Sequence, residues 1–230
     1  MADDQSRRSI HAVILAAGAN TRLSGLVPGF MKPLVLVNGR PLIKHAYDHA
    51  LKDWGCDSYT VVASPDNVRL LIEVLPDTIN YVVQPRPKGV IDAIHRGIYT
   101  GLAAGDQNKW LLILCADNVF TYDRTKLDLF GGSNVGIFGA RHLSGDDARR
   151  FTRYMIQPGR VEFLKKTSDH IGDGCWIGPL YMPLLDTEAA LSNCLTHQLT
   201  DVEDLIMIAT DRGRKISPIM MECLDMGIPE

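Results

Sequence analysis

The first half of the chain alternates short apolar runs with segments in which apolar residues recur at helical spacing. Four runs, bounded by polar or turn-forming residues, predict buried strands: 12–17, 59–63, 79–83 and 110–115. Three segments between them predict helices: 41–54, 66–75 and 89–104. Strands and helices that alternate in this way predict right-handed βαβ units and a parallel sheet. In such sheets, ligands bind beyond the carboxyl ends of the strands.

The second half of the chain has a different pattern, dominated by predicted strands. Its apolar segments lie at 135–140, 150–157, 160–166, 175–182 and 215–224. Pro158-Gly159 predicts a hairpin turn, and Gly178-Pro179 predicts an interruption in the strand that contains it. The spacing Thr200–Glu203 predicts a capping box that opens a helix through Ile208.

We expect a single folded unit after a short tail. The polar residues 1–10 predict a disordered tail without the apolar core of a signal peptide. No linker rich in Gly, Ser or Pro divides the remainder, so 11–230 is predicted as one domain. Within it, the strand–helix half spans about 11–125, and a β-rich lobe spans about 126–230.

The first predicted strand ends in a glycine that is followed by basic residues. Gly18 lets the backbone turn sharply and approach a ligand closely, and the N–H groups of such a turn suit phosphate oxygens. Arg22 and Lys32 add positive charge to the same region. Neither the Walker pattern nor Gly-x-Gly-x-x-Gly fits, since Asn20 and Leu23 occupy glycine positions of the latter.

Polar residues also follow three other predicted strands. The Gln84 amide carries a donor and an acceptor, which could match the edge of uracil, thymine or guanine. Asp117 and Asp225 each follow an apolar strand, and Mg²⁺ prefers one or two carboxylates together with phosphate oxygens and water. The alternatives are an ordinary proline-rich loop at Gln84 and ordinary turns at the two aspartates.

The ordered set of these motifs resembles the signature of the sugar-phosphate nucleotidyltransferases. The matching residues are Leu15-Ala16-Ala17-Gly18, Thr21-Arg22-Leu23, Lys32-Pro33, Gln84, Pro87, Gly89, Ala93, Asp117-Asn118 and Asp225. The departures are Asn20 and Ala116, where the family has glycine, and Lys165, where it often has glutamate. The resemblance implies an α/β fold with a Rossmann-like, mostly parallel sheet flanked by helices and a small β-rich sugar-binding lobe.

The resemblance also implies roles for individual residues. Catalysis is assigned to Arg22, Lys32 and Asp117, and a Mg²⁺ cofactor to Asp117 and Asp225. The implied nucleotide site comprises Leu15, Ala16, Ala17, Gly18, Asn20, Thr21, Gln84, Pro87, Gly89 and Asp117. The implied sugar-phosphate site comprises Asn118, Glu162, Lys166 and Gly178, with Asp173 as a further candidate for the sugar hydroxyls.

The expected reaction transfers a nucleoside monophosphate from a nucleoside triphosphate, with dTTP or UTP favoured, to a sugar 1-phosphate. An oxygen of the sugar phosphate attacks the α-phosphorus in line and pyrophosphate leaves, with no covalent enzyme intermediate. Three other interpretations stay open. They are transfer to a phosphorylated acceptor that is not a sugar, a non-catalytic sensor of nucleotides or nucleotide sugars, and a NAD-type Rossmann protein, which the missing glycines disfavour.

Composition limits the classes of binding partner and the cellular compartment that we expect for this protein. A formal net charge of -3 over 230 residues gives no reason to expect a nucleic-acid partner, and no apolar run reaches membrane-spanning length. The five cysteines are odd in number and form no Cys-x-x-Cys pair, so we expect reduced thiols and a reducing, cytoplasmic location. Cys115 and Cys223, in apolar runs, are expected in the core. A homo-oligomer is compatible with all of these features.

Overall fold

A buried strand, β1 (Ile10–Leu15), lies at the centre of the protein's main sheet. The structure is a computed structural model, and it describes residues 8–18, 31–102, 109–121, 136–143, 151–158, 160–164 and 170–225. Successive side chains of β1 point to opposite faces of the sheet, so Ala12 and Ile14 enter one hydrophobic core while Val13 enters a second. All three are fully buried, as expected for a strand covered on both faces.

The strands beside β1 form the parallel part of the sheet. β1 pairs in parallel with β4 (Ser58–Ala63) on one side and with β6 (Trp110–Cys115) on the other. β4 in turn pairs in parallel with β5 (Asn80–Val83), which forms the edge. The predicted parallel sheet is therefore confirmed, with strand boundaries within two residues of those expected from the apolar runs.

Helices cover both faces of this sheet. On one face lie α1 (Leu42–Asp48), which continues as a π-helical turn (His49–Asp53), and α2 (Val68–Val74). On the other face lie α3 (Val90–Gly101), α4 (Leu184–Thr196) and α5 (Val202–Asp211). Before α1, the chain forms a 3₁₀ turn (Lys32–Leu34) and a small hairpin of β2 (Leu36–Val37) and β3 (Arg40–Pro41).

The second half of the chain extends the same sheet with mainly antiparallel strands. These strands are β8 (Gly136–Arg141), β9 (Arg153–Gln157), β10 (Arg160–Phe163), β11 (Gly174–Pro183) and β12 (Ile216–Met220). β11 joins the two halves because it pairs antiparallel with β6, β8 and β9. Its register shifts between Trp176 and Leu180, where the sequence predicted an interruption at Gly178-Pro179. The predicted hairpin across Pro158 is present as β9 and β10.

The last predicted strand, 215–224, is two strands in two different sheets. β12 pairs in parallel with β8 in the main sheet, whereas β13 (Glu222–Asp225) pairs antiparallel with β7 (Asn118–Thr121). The chain changes sheets at Met221, a buried residue whose N–H donates to the carbonyl of Ala140. A continuous apolar pattern does not reveal such a change of partner, and β7 was not predicted.

The predictions about helices differ from the structure in three respects. The helix α4 was not predicted. The capping box at Thr200–Glu203 is absent, because Asp201 precedes α5 and the Glu203 carboxylate accepts a hydrogen bond from Thr152 Oγ1 at 2.9 Å. Likewise α2 begins at Val68 and not at position 66, and Asn67 is the residue that precedes it.

The five cysteines all lie among the described residues and form no disulfide there. Cys56, Cys175 and Cys194 are buried, whereas Cys115 and Cys223, which were expected in the core, are only partly buried. Among the described residues, no helix is both long enough and apolar enough to cross a membrane.

Close packing of α3 on the sheet depends on Gly97. A Cβ at this buried position would lie 2.6 Å from a methyl carbon of Val13 and 3.0 Å from one of Val62. Because these β-branched side chains are stiff, we expect Gly97→Ala to lower the free energy of unfolding by about 1–3 kcal/mol, even though alanine favours a helix. Chemical denaturation would measure the change. Thr100→Ala, at an exposed position of α3, is the matched control, and equal stability of the two variants would contradict the packing described here.

Candidate functional site

Three predicted site residues lie at the carboxyl edge of the parallel strands. Backbone hydrogen bonds continue past the strand ends: the Ala16 N–H donates to Val62 O at 2.8 Å, and the Gln84 N–H donates to Ala63 O at 2.8 Å. The Ala116 N–H donates to Leu15 O at 3.0 Å. The segments that carry Gly18, Gln84 and Asp117 are therefore held at one edge, as the sequence predicted.

A cavity of about 420 Å³ opens at this edge. The expected nucleotide-site residues that line it are Leu15, Ala16, Ala17, Gly18, Gln84, Pro87, Gly89 and Asp117, together with Lys32. Five further residues complete its lining: Pro33, Val90, Ala93, Cys115 and Ala116. The expected site residues Asn20, Thr21 and Arg22 lie outside the described residues.

Opposite charges face each other in this cavity. Lys32 Nζ lies 3.5 Å from Asp117 Oδ2, and the two side chains are 14% and 34% exposed. Lys32 is carried by the 3₁₀ turn, which the buried Pro33 anchors, and Asp117 directly precedes β7. The cavity therefore has a cationic group suited to phosphate oxygens beside an anionic group suited to a metal ion.

Gln84 is almost completely buried, with 4% of its surface exposed. Its Nε2 donates to Gly89 O at 3.2 Å and to Asp92 Oδ2 at 2.8 Å. From the sequence, this amide is expected to offer a donor and an acceptor together. In the structure both amide hydrogens are used within the protein, so the remaining hydrogen-bonding group of the amide is the acceptor Oε1.

Asp92 is held in its ionised form by its neighbours. Burial alone would raise the pKa of its carboxyl, but hydrogen bonds from Arg96 and Gln84 and the charges of Arg96 and Lys88 lower the pKa below its usual value. Arg96 Nε donates to Asp92 Oδ2 at 2.8 Å, one helical turn along α3. The carboxylate therefore stays an acceptor at neutral pH.

Gly89 is fixed in a conformation that side chains rarely adopt. Its φ is +91°, and it directly precedes α3, whose first turn borders the cavity through Val90 and Ala93. A Cβ here would lie 3.0 Å from Thr200 Cβ and 3.2 Å from Thr200 O. Glycine thus allows the loop from Gln84 to pack against the chain before α5.

The donor set at this edge fits a magnesium ion. Asp117 supplies a carboxylate in the cavity, and the backbone of Asp225 lies opposite that of Asn118 in the β7–β13 ladder. Among the described residues there is no group of three or more His, Cys, Asp or Glu side chains that could hold a metal. Mg²⁺ does not need such a group, because phosphate oxygens and water complete its shell.

The residues expected at the sugar phosphate are more dispersed. Asn118 and Gly178 lie together: Asn118 Nδ2 donates to Ile177 O at 3.0 Å, and a Cβ at Gly178, where φ is +127°, would lie 3.1 Å from Nδ2. Asn118 is buried beneath this bend and, like Gly178, does not line the cavity. Lys166 lies outside the described residues.

The other two candidates for the sugar hydroxyls have partners on the outer strands. Glu162, on β10, accepts a hydrogen bond from Gln157 Nε2 at 2.5 Å and lies 3.6 Å from Arg160 Nη2. Asp173 Oδ2 accepts a hydrogen bond from the Ile156 N–H at 2.6 Å. Neither residue lines the cavity, so their contact with a sugar stays a prediction.

Two supporting residues were not predicted from the sequence. Asn67, which is 2% exposed, donates from Nδ2 to Ala16 O at 2.8 Å and accepts from the Ser64 N–H at 2.9 Å. It thereby holds the segment before Gly18. For Asp92, only the helical i,i+4 spacing to Arg96 was visible, and nothing in the sequence connected it to Gln84.

Solved structures define the class of fold. A Bacillus anthracis protein assigned as a glucose-1-phosphate thymidylyltransferase, in complex with sucrose, superposes with a TM-score of 0.79 at 18% identity, covering 95% of this chain and 90% of that one. A UDP-glucose pyrophosphorylase bound to UDP-glucose has a TM-score of 0.74 at 18% identity, with coverage of 96% and 94%. The inositol-1-phosphate CTP transferase from T. maritima has a TM-score of 0.77 at 17% identity, with coverage of 97% and 91%. The fold is therefore that of nucleotidyltransferases.

The family follows from the sequence. Residues 12–130 match the model of the MobA-like NTP transferase domain, which is just over half of the chain. The protein belongs to the MobA-like NTP transferase family, and the expectation of a nucleotidyltransferase is confirmed at this level. A comparison with proteins of curated function finds none that matches the sequence.

The geometry of Gly89 predicts a specific effect on the cavity. We expect Gly89→Ala to weaken nucleotide binding on the order of tenfold or more, because the positive φ and the contact with Thr200 force the loop from Gln84 to move. Equilibrium titration with a nucleotide would measure the loss. Gly39→Ala is a matched control, since Gly39 has a φ of +74° and a Cβ there would meet nothing within 4 Å. Unchanged affinity in Gly89→Ala would contradict the role of this loop.

Proposed function

We propose that the protein transfers a nucleoside monophosphate from UTP or dTTP to a sugar 1-phosphate and releases pyrophosphate, with Mg²⁺ as cofactor. The observation that carries this proposal is the cavity in which Lys32 and Asp117 lie 3.5 Å apart, lined also by Gly18 and Gln84. Membership of an NTP transferase family supports the triphosphate as one substrate.

The triphosphate would bind along the chain at Gly18 and at the amino-terminal end of α3. Backbone N–H groups in a glycine bend and at a helix start both favour phosphate oxygens. The base would contact Gln84 and approach the backbone at Gly89, both of which line the cavity with Pro87. Asn20 and Thr21, in the segment after Gly18, are proposed to complete the nucleotide site.

The chemistry needs positioning and charge neutralisation. An oxygen of the sugar phosphate attacks the α-phosphorus, and the bond from that phosphorus to the β-phosphate oxygen breaks. Lys32 would hold the phosphates of both substrates, and Arg22 would stabilise the negative charge on the leaving pyrophosphate. A Mg²⁺ ion held by Asp117 and Asp225 would supply further neutralisation of phosphate charge.

The sugar phosphate is proposed to bind beside this cavity, near the bend at Gly178. Asn118 holds that bend from beneath through its hydrogen bond to Ile177 O. Lys166 is proposed to contact the sugar phosphate, and Glu162 would require a rearrangement of its contacts with Gln157 and Arg160 to reach a sugar.

A phosphorylated acceptor other than a sugar is the second candidate. The matching family model is named for MobA-like transferases, and one structural neighbour is described as acting on inositol 1-phosphate with CTP. Either acceptor would use the same phosphate chemistry at Lys32 and Asp117.

We also propose a reducing, cytoplasmic location, which the absence of disulfides among the five cysteines supports. A homo-oligomer stays compatible with the fold.

The proposal is tested by pyrophosphate release over a grid of nucleoside triphosphates and phosphorylated acceptors, with Mg²⁺ and with a chelator. We expect release with UTP or dTTP and a sugar 1-phosphate. Lys32→Met and Asp117→Asn should each lower kcat on the order of a hundredfold or more, because each removes a charge that faces the reacting phosphates. Lys52→Met is the control, since the Lys52 side chain is 64% exposed and should leave kcat near normal.

The outcome also separates the alternatives. Release with another phosphorylated acceptor, but with no sugar phosphate, would favour the second candidate. A protein that binds nucleotides but releases no pyrophosphate with any acceptor would be a sensor, and the proposed function would be wrong. Full activity of Asp117→Asn would contradict the proposed metal site.

A further inference from the structure

We infer that Asp92 is a positioning residue that sets the base preference, by holding the Gln84 amide so that Oε1 alone is offered to the base. Among the pyrimidines, the base that fits has an N–H at ring position 3, which means uracil or thymine and not cytosine. This inference rests on the proposed function, because it takes the cavity as the nucleotide site.

The orientation of the Gln84 amide follows from the atoms that surround it. Both partners of Nε2 are oxygens that can only accept: the carbonyl of Gly89 at 3.2 Å and the Asp92 carboxylate at 2.8 Å. Rotating the amide by half a turn would place Oε1 against these two oxygens. Two acceptors facing each other are unfavourable here, because Gln84 is only 4% exposed and water cannot easily compensate. Among the described residues, no hydrogen bond reaches Oε1.

Asp92 is itself held in place by Arg96. Gln84 Nε2 and Arg96 Nε both donate to the same oxygen, Oδ2, each at 2.8 Å. The Asp92 and Arg96 side chains are 19% and 33% exposed, so this pair is partly shielded from water. The Asp92 carboxylate on α3 is charged and accepts two hydrogen bonds, so it is a rigid anchor for the Gln84 amide on the neighbouring loop.

A fixed acceptor discriminates between pyrimidines. Uracil and thymine present the N3–H between two carbonyl groups, and the N3–H can donate to Oε1. Cytosine carries a lone pair at N3, which would face the lone pairs of Oε1 in the same pose. A buried site that is shaped for one hydrogen bond rejects a base that cannot make this bond, because the polar group of the protein, here Oε1, is then left unpaired.

The first test uses nucleotide analogues on the unmodified protein, with Mg²⁺ present and equilibrium binding as the readout. UTP should bind on the order of ten- to a hundredfold more tightly than CTP. N3-methyl-UTP, which lacks the N3–H, should lose a similar factor. The matched probe is 5-methyl-UTP, which adds a methyl group elsewhere and should bind like UTP. Equal binding of UTP, CTP and N3-methyl-UTP would overturn the inference.

The second test removes the anchor. In Asp92→Leu the Gln84 amide can rotate, so we expect the ratio of CTP to UTP dissociation constants to fall on the order of tenfold, with CTP binding gaining in relative terms. Asp92→Glu, which retains a carboxylate, should recover part of the preference. Asp186→Leu is the control, because it breaks a comparable ion pair, with Arg214. Asp186 lies on α4, and no residue of α4 lines the cavity.

A purely structural role for Asp92 would give a different result. It would weaken UTP and CTP equally and leave their ratio unchanged, which would overturn the inference. The assay also separates this inference from the proposed function. If pyrophosphate is released without any preference between UTP and CTP, the inference alone fails. If nucleotides bind with the expected preference but no acceptor is used, the proposed function alone fails.

Discussion

The site depends on the parallel pairing of β1 with strands on both of its sides. Because β1, β4 and β6 run in the same direction, the chain leaves them at a common edge, and hydrogen bonds at Ala16, Gln84 and Ala116 continue the pairing beyond the strands. Residues from well-separated parts of the chain thereby line one cavity. Apolar side chains that enter two separate cores on either face of the sheet hold this arrangement.

At this edge of the sheet, a few polar side chains with defined hydrogen-bond or ion-pair partners determine which ligand can bind. Lys32 and Asp117 place opposite charges side by side, which suits a triphosphate accompanied by a metal ion. The Gln84 amide has a fixed direction, because Gly89 and Asp92 use both of its hydrogens. The same loop is shaped by the positive φ of Gly89 and by its packing against Thr200. Charge and hydrogen-bond direction are thus both set by the protein before any ligand binds.

Local sequence patterns were sufficient to predict the strands of the parallel half. They were insufficient to predict which strands and side chains pair when these are far apart in the sequence or on different elements. The apolar runs predicted β1, β4, β5 and β6, and the motifs predicted that Gly18, Gln84 and Asp117 would share a cavity. Periodicity did not separate β12 from β13, because only Met221 lies between them without a turn signal, and tertiary pairing alone tells them apart. The orientation of Gln84 was equally hidden, since it depends on Asp92, eight residues away on a helix.

The most direct measurement of the central claim is a crystal structure with Mg²⁺ and a UTP analogue whose α–β bridging oxygen is replaced by a methylene group. We expect the α-phosphate beside Lys32 and the Mg²⁺ ion at Asp117, with the uracil N3–H donating to Gln84 Oε1. A triphosphate bound away from this cavity, or a uracil whose N3 faces away from Gln84, would contradict it.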